Sequence, residues 1–122
     1  MDNSTFKISS KEKTILDSLT YPQHYGGIPE AAKAIWNSRE ELDWGLLIDF
    51  LERLDVSAVK RRLGYVLEVL ETKEDVKSML ESEFKGYRWL DPSASKTKFN
   101  YDKKWGLKLN LSKKRLLEWR DY

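Results

Sequence analysis

The sequence predicts an α+β fold. It reads as a single domain, residues 1–122, of about six helices packed on a small two- or three-stranded sheet formed by the N-terminal and C-terminal strands. Three observations carry this prediction. Apolar residues recur at helical spacing through the middle of the chain. The period falls to two near both ends. The helices are clustered rather than alternating with strands, which argues against βαβ repeats. A chain of 122 residues, 40% hydrophobic and with five Trp, six Tyr and four Phe, can bury a core of its own without a disulfide or metal staple.

Thr5 to Ile8, with Phe6 and Ile8 on one side, reads as a strand. Ser9-Ser10-Lys11-Glu12 fits a capping box, in which a hydroxyl and a carboxylate each satisfy a free N–H of the first helical turn. Ile15, Leu16 and Leu19 follow at helical spacing. Tyr21-Pro22 ends this helix, because the residue before proline is pushed out of the α region. Gly26-Gly27 makes a sharp turn, and Pro29 opens a helix to about Trp36 with Ala32, Ile35 and Trp36 inward. Ser38 and Asp43 are alternative N-caps for a helix ending near Leu54, with Leu46, Leu47, Phe50, Leu51 and Leu54 as its buried stripe.

Ser57 caps the clearest amphipathic helix, whose apolar face is Val59, Leu63, Val66, Leu67 and Leu70. Thr72 caps a short helix with Val76, Met79 and Leu80 inward. Tyr87 to Leu90 alternates as a strand, Asp91 to Ser95 is a turn leading into a polar loop, and Trp105 to Leu111 alternates strictly. Trp105, Leu107, Leu109 and Leu111 then share one face and Lys108 and Asn110 the other. Ser112 caps a last helix with Leu116, Leu117 and Trp119.

The composition restricts the chemistry. There is no Cys and a single His, His24. Thiolate metal sites, iron–sulfur ligation and Cys nucleophiles are therefore excluded. No cofactor and no metal is expected, because no Gly-rich phosphate loop, no GxSxG turn and no HExxH pattern occurs. The first residues have neither a basic nor an apolar signal region, and no stretch is long and apolar enough to span a bilayer. The expected setting is cytoplasmic, with no membrane partner. One nuclease-like pattern is present: Glu83-Phe84-Lys85 with Asp75 upstream, the residue types that hold Mg²⁺ and activate water. Its spacing leaves no room for the intervening strand such sites use.

Charge is uneven. The net charge is +2, but residues 96–122 hold 9 Lys and Arg against 3 acids, a local +6. Phe99, Tyr101, Trp105, Trp119 and Tyr122 lie among these cations. Cations beside stacking rings suit a nucleic-acid backbone and bases, or an acidic protein face. The same segment also reads as a basic strand and helix with core aromatics and solvated lysines. Arg61 and Arg62 have two readings as well: forks for phosphate or carboxylate, or a solvated helix face paired with Glu68.

Four strings resemble one family. Residues 11–19, Lys-Glu-Lys-Thr-Ile-Leu-Asp-Ser-Leu, followed by Tyr21-Pro22 and Gly26-Gly27, are similar to the first. Arg62-Leu63-Gly64-Tyr65-Val66-Leu67-Glu68 is similar to a helix of that family. Leu90-Asp91-Pro92-Ser93 resembles a strand end, and Lys104-Trp105-Gly106-Leu107-Lys108-Leu109-Asn110 a strand. Order and spacing agree over most of residues 6–111. The chain thus resembles the C-terminal domain of AbiEi-type antitoxins, the antitoxin and transcriptional-regulator half of an abortive-infection toxin–antitoxin pair.

The resemblance implies a non-catalytic domain that antagonises a cognate nucleotidyltransferase toxin, contributes to transcriptional autoregulation, or does both. The alternative is a nucleic-acid-binding module using the basic, aromatic-rich C-terminal segment, and after it a metal-dependent nuclease. Family members carry an N-terminal winged helix that binds operator DNA. The matched segment starts so near residue 1 that this domain is expected to be missing, which leaves DNA binding weak. The family's arginine before the tryptophan is Lys104 here, which keeps the charge but not the fork. Among the matched residues, Gly26 and Gly27 would turn the chain and Gly64 would allow close helix packing. Asp91, Pro92 and Ser93 would shape a turn, Trp105 would belong to the strand, and Asn110 would cap backbone. Arg61, Arg62, Tyr65, Arg88, Lys104 and Lys108 would form an exposed basic surface for the toxin or a nucleic acid.

Overall fold

A computed structural model describes residues 10–54 and 57–120. Among these the fold is α+β, with six α-helices and one three-stranded mixed sheet. The expected strand Thr5–Ile8 and the Ser9 half of the capping box lie outside the described residues.

Helix α1, Ser10–Thr20, buries Ile15, Leu16 and Leu19. The Tyr21 N–H still reaches the Asp17 carbonyl, at 2.8 Å, before Pro22 opens a short 3₁₀ turn, Pro22–His24. Gly26 and Gly27 follow at φ +86° and +92°, a region that side chains disfavour, and they aim the chain into α2, Ile28–Ser38. Helix α3 is Trp44–Leu54. Its cap is Asp43, whose Oδ1 accepts from the Leu46 N–H at 3.0 Å, while Ser38 ends α2. Helices α4, Ser57–Leu70, and α5, Glu74–Leu80, complete the helical layer.

Two apolar expectations need correction. Leu54 is 54% exposed, because it sits at the end of α3 on the rim of a groove that nothing among the described residues covers. Met79 is 61% exposed: α5 is two turns long and packs through Val76 and Leu80 alone. Its N-cap position is Lys73, at φ +52°, rather than Thr72.

Strands β1 (Arg88–Trp89), β2 (Asn100–Asp102) and β3 (Leu107–Leu109) form the sheet in the order β1-β3-β2. β3 runs parallel to β1 and antiparallel to β2, so that Trp89, Lys108 and Tyr101 stand abreast. The sequence reading placed β2 in a polar loop. A hairpin makes it a strand: Asp102 Oδ1 accepts from the Lys104 N–H at 3.0 Å, and Gly106 closes the turn at φ +61°. Trp105 and Gly106 therefore belong to this turn, and the strand expected over 105–111 shortens to Leu107–Leu109. The last helix, α6, Lys113–Leu116, is capped as expected, with Ser112 Oγ accepting from the Arg115 N–H.

Helix α4 is buried on almost every side, with Arg61, Arg62, Gly64 and Tyr65 enclosed as well as its apolar stripe. It packs on α1, α2 and α5, and its remaining side meets the sheet. Leu90, Trp105 and Leu107 are fully buried between the layers. No helix among the described residues is long and apolar enough to cross a membrane.

The tightest contact is between Gly64 and Trp105. A Cβ on Gly64 would lie 2.2 Å from the indole Cζ3. Alanine would gain about 1 kcal/mol of helix propensity, but overpacking a closed contact costs about 1–3 kcal/mol or more, and a fully buried ring has no room to retreat. Gly64→Ala is therefore expected to lower the urea midpoint. A midpoint unchanged or raised would show that α4 and the hairpin are not locked at this point.

Candidate partner-binding face

The five cations and one ring expected to form one exposed surface are not together. Arg61, Arg62 and Tyr65 are 4%, 7% and 3% exposed, which removes them from any docking surface. Helical period explains the burial: α4 is central, so positions that would face water on a peripheral helix face the sheet.

Arg61 donates through Nη1 to the carbonyls of Gly86 (3.1 Å) and Gly106 (3.0 Å), and through Nη2 to that of Lys85 (2.7 Å). Its Nε donates to the Ser57 hydroxyl at 3.0 Å. Arg62 donates to the Trp89 carbonyl at 3.1 Å and to the Leu19 carbonyl at 2.7 Å. Burial lowers the pKa of both guanidinium groups, and nearby Arg88 lowers both further; Asp91 partly offsets this for Arg62. A guanidinium stays charged through such shifts. These arginines clamp backbone rather than read a partner.

The matched positions are structural too. Glu68 Oε1 accepts from Trp105 Nε1 at 3.2 Å and from Lys104 Nζ at 2.8 Å. Burial alone would raise the Glu68 pKa, but these two bonds and the Lys104 charge outweigh it and the net shift is downward. Lys104 is raised in turn, chiefly by Glu68, so this lysine is exposed but already paired. Asp91, almost fully buried, accepts from the Ile28 N–H through Oδ2 at 2.9 Å and from the Ser93 N–H and hydroxyl through Oδ1. It thereby caps α2 at the place where Gly27 has no side chain to do so. Asn110 accepts from the Asp91 N–H and donates to the carbonyls of Asp91 and Ser95. Pro92 is half-buried in the same turn.

The exposed feature is the outer side of the sheet. Strand alternation puts Arg88 on the same side as Leu90, where it is nonetheless exposed, and Tyr87 and Trp89 on the outer side. Tyr101 and Phe99 point the same way. The rings meet edge to face: Tyr87–Tyr101 at 4.7 Å, Trp89–Phe99 at 4.9 Å and Phe99–Tyr101 at 5.4 Å between centroids. Lys108 Nζ lies 4.6 Å from the Trp89 ring centroid and Lys96 Nζ 5.8 Å. Among the described residues, no carboxylate lies within 4.0 Å of Lys96, Lys98 or Lys108. Of the expected surface residues, Arg88 and Lys104 are exposed and Lys108 is half-buried, and Lys108 alone lies among the rings of this face, which no described residue covers. Tyr87 and Trp89 were missed, although the alternation of Tyr87-Arg88-Trp89 carried the signal, whereas Lys96, Phe99 and Tyr101 belong to the basic, aromatic segment that the sequence singled out.

A cleft of about 520 Å³ borders this face at the sheet edge, lined in part by Lys98, Phe99, Asn110 and Lys113 and, from the helix side, by Leu109 and Tyr65. Elsewhere, Asp75 lies in the first turn of α5, and Glu83 and Lys85 are exposed in the segment that follows it. Among the described residues no group of three or more His, Asp or Glu side chains is placed to hold a metal ion. His24 is exposed beside Tyr21, with ring centroids 6.2 Å apart.

Two outcomes follow. Arg61→Ala removes a cation and leaves the carbonyls of Lys85, Gly86 and Gly106 short of a donor. Hydrogen bonds to a charged group are worth about 1.5–3 kcal/mol each, so denaturant unfolding should show a loss of at least about 2 kcal/mol; a change under about 0.5 kcal/mol would mean the clamp is dispensable. Burial, with Asp102 and Glu68 adding repulsion, pushes the Tyr65 phenol up from 10.0 to about 12. The unfolded chain loses this proton first. The contribution to stability is whole below pH 10 and is lost as pH rises toward 12. Phenolate absorbance should show one late-titrating tyrosine that Tyr65→Phe removes, and an unchanged titration curve in that variant would refute the assignment. Comparison of the chain with family models, with curated proteins and with solved structures gives no match.

Proposed function

We propose that this protein is a non-catalytic regulatory domain of the antitoxin type. In this reading it antagonises a nucleotidyltransferase toxin in the cytoplasm, contributes to control of its own operon, or does both. One observation carries the reading beyond the resemblance. The four matched strings are scattered through the chain, yet their residues bond to one another. Arg62 of the second string reaches the Leu19 carbonyl of the first. Asp91 of the third holds the N–H of Ile28, which directly follows the Gly26-Gly27 pair. Asn110 of the fourth clasps Asp91, and Trp105 lies against Gly64. Strings that pin each other behave as one signature rather than four coincidences. The test is co-expression with a nucleotidyltransferase encoded beside this gene. Relief of growth arrest is expected; persistent arrest in the presence of the stably folded domain would overturn the reading.

A second reading, a nucleic-acid-binding module, is favoured by the rings of the outer sheet face and by its lysines, which no described carboxylate pairs. Binding should then weaken steeply with salt. A titration showing no binding of any nucleic acid at about 50 mM salt, where backbone contacts are strong, would remove it.

A further inference from the structure

We propose that the outer sheet face is a stacking platform for single-stranded nucleic acid, an inference that rests on the second reading above and narrows it. Trp89, Lys108 and Tyr101 stand abreast on three adjacent strands, with Tyr87 and Phe99 extending the rows. Strands lie about 4.8 Å apart, so the face is about 10 Å across and accommodates two or three nucleotides. Tyr101, 60% exposed, presents the most open ring.

The chemistry of the face selects the ligand. Among the described residues its lysines have no carboxylate neighbours, and the acidic residue of β2, Asp102, is on the opposite side by strand alternation. The face therefore offers cations and π surfaces in alternation. An acidic peptide would satisfy the cations and leave the rings without partners. A nucleic acid satisfies both, phosphates at Lys96, Lys98 and Lys108 and bases on the rings. Duplex bases are already stacked inside the helix and cannot reach the rings, whereas unpaired bases can. The cleft around the sheet edge, with Lys98, Lys113 and Asn110 in its lining, gives the strand a place to turn past Phe99.

The experiment is fluorescence anisotropy of the full chain with a labelled uridine homopolymer of about 12 nucleotides, a length chosen to exceed one short binding site. A labelled duplex of similar length is titrated alongside. Single-strand affinity should exceed duplex affinity. Tyr101→Ala and Trp89→Ala should each weaken it at least about fivefold, from the stacking worth of one base, while Tyr101→Phe retains it. Lys108→Ala should weaken binding and flatten its salt dependence, whereas Lys33→Ala, an exposed change on α2, should do neither. Far-UV circular dichroism of each variant separates loss of binding from loss of fold. Duplex binding as tight as single-strand binding and indifferent to Tyr101→Ala would overturn the platform and leave the broader nucleic-acid reading standing. Binding of neither would overturn both. Loss of toxin antagonism in Tyr101→Ala without any nucleic-acid binding would assign the face to a protein partner and overturn the proposal.

Discussion

The structure hangs on one stripe of α4. Arg61, Gly64 and Glu68 lie at i, i+3 and i+7, on one side of the helix, and all three engage the same hairpin turn. Arg61 holds the Gly106 carbonyl, Gly64 receives the Trp105 ring, and Glu68 takes the indole N–H and the Lys104 ammonium. A three-stranded sheet with strands of two or three residues has little stability of its own. It exists because this stripe supplies a cation for its turn carbonyls, a gap for its one fully buried indole, and an anion for its turn lysine. A cation beneath a sheet would be costly if it faced apolar groups. Here its donors are taken up by carbonyls, and the burial becomes specific rather than prohibitive.

Asp91 plays the corresponding part at the other end of β1. Its two carboxylate oxygens serve different elements, one the start of α2 and the other the turn at Ser93, while Asn110 holds its backbone. The helical and sheet halves are thereby joined twice, once through α4 and once through this turn. Both joints consume polar residues that a reading of charge alone would assign to a ligand. Among the described residues the far side of the sheet is left uncovered, turned away from both joints. The same docking that hides Arg61 and Arg62 thus defines which face is free to bind.

Legibility followed the range of the interaction. Caps and turns that act within three or four residues were readable: Asp43 at α3, Ser112 at α6, and the Gly26-Gly27 turn. The apolar period located α4 and its five core positions. Gly64 stood out as a glycine inside a strong helix, and the close contact it permits is there. The errors had a common cause. Leu54 and Met79 fit the helical period but lie where no described neighbour covers them, and β2 is too short to show a period before its partner strand is known. In the candidate site Lys108, Phe99 and Tyr101 were named from the sequence, the rings with a second reading as core, while Tyr87 and Trp89 were not.

From the amino-acid order alone came the class of fold, the positions of most helices, the exclusion of thiol and zinc–thiolate chemistry, and the concentration of positive charge after residue 95. Those properties depend on composition, or on neighbours a few positions apart, and a one-dimensional string carries both. Which charges are free was settled by the tertiary structure. Arg61 and Lys108 are the same kind of residue in a string, a cation beside apolar positions. One lies on a helix enclosed by three others and a sheet, so its guanidinium must find carbonyls. The other lies on a strand whose outer side no described residue covers, so its ammonium lies among rings. That difference is made by packing across tens of residues, and no local pattern encodes it.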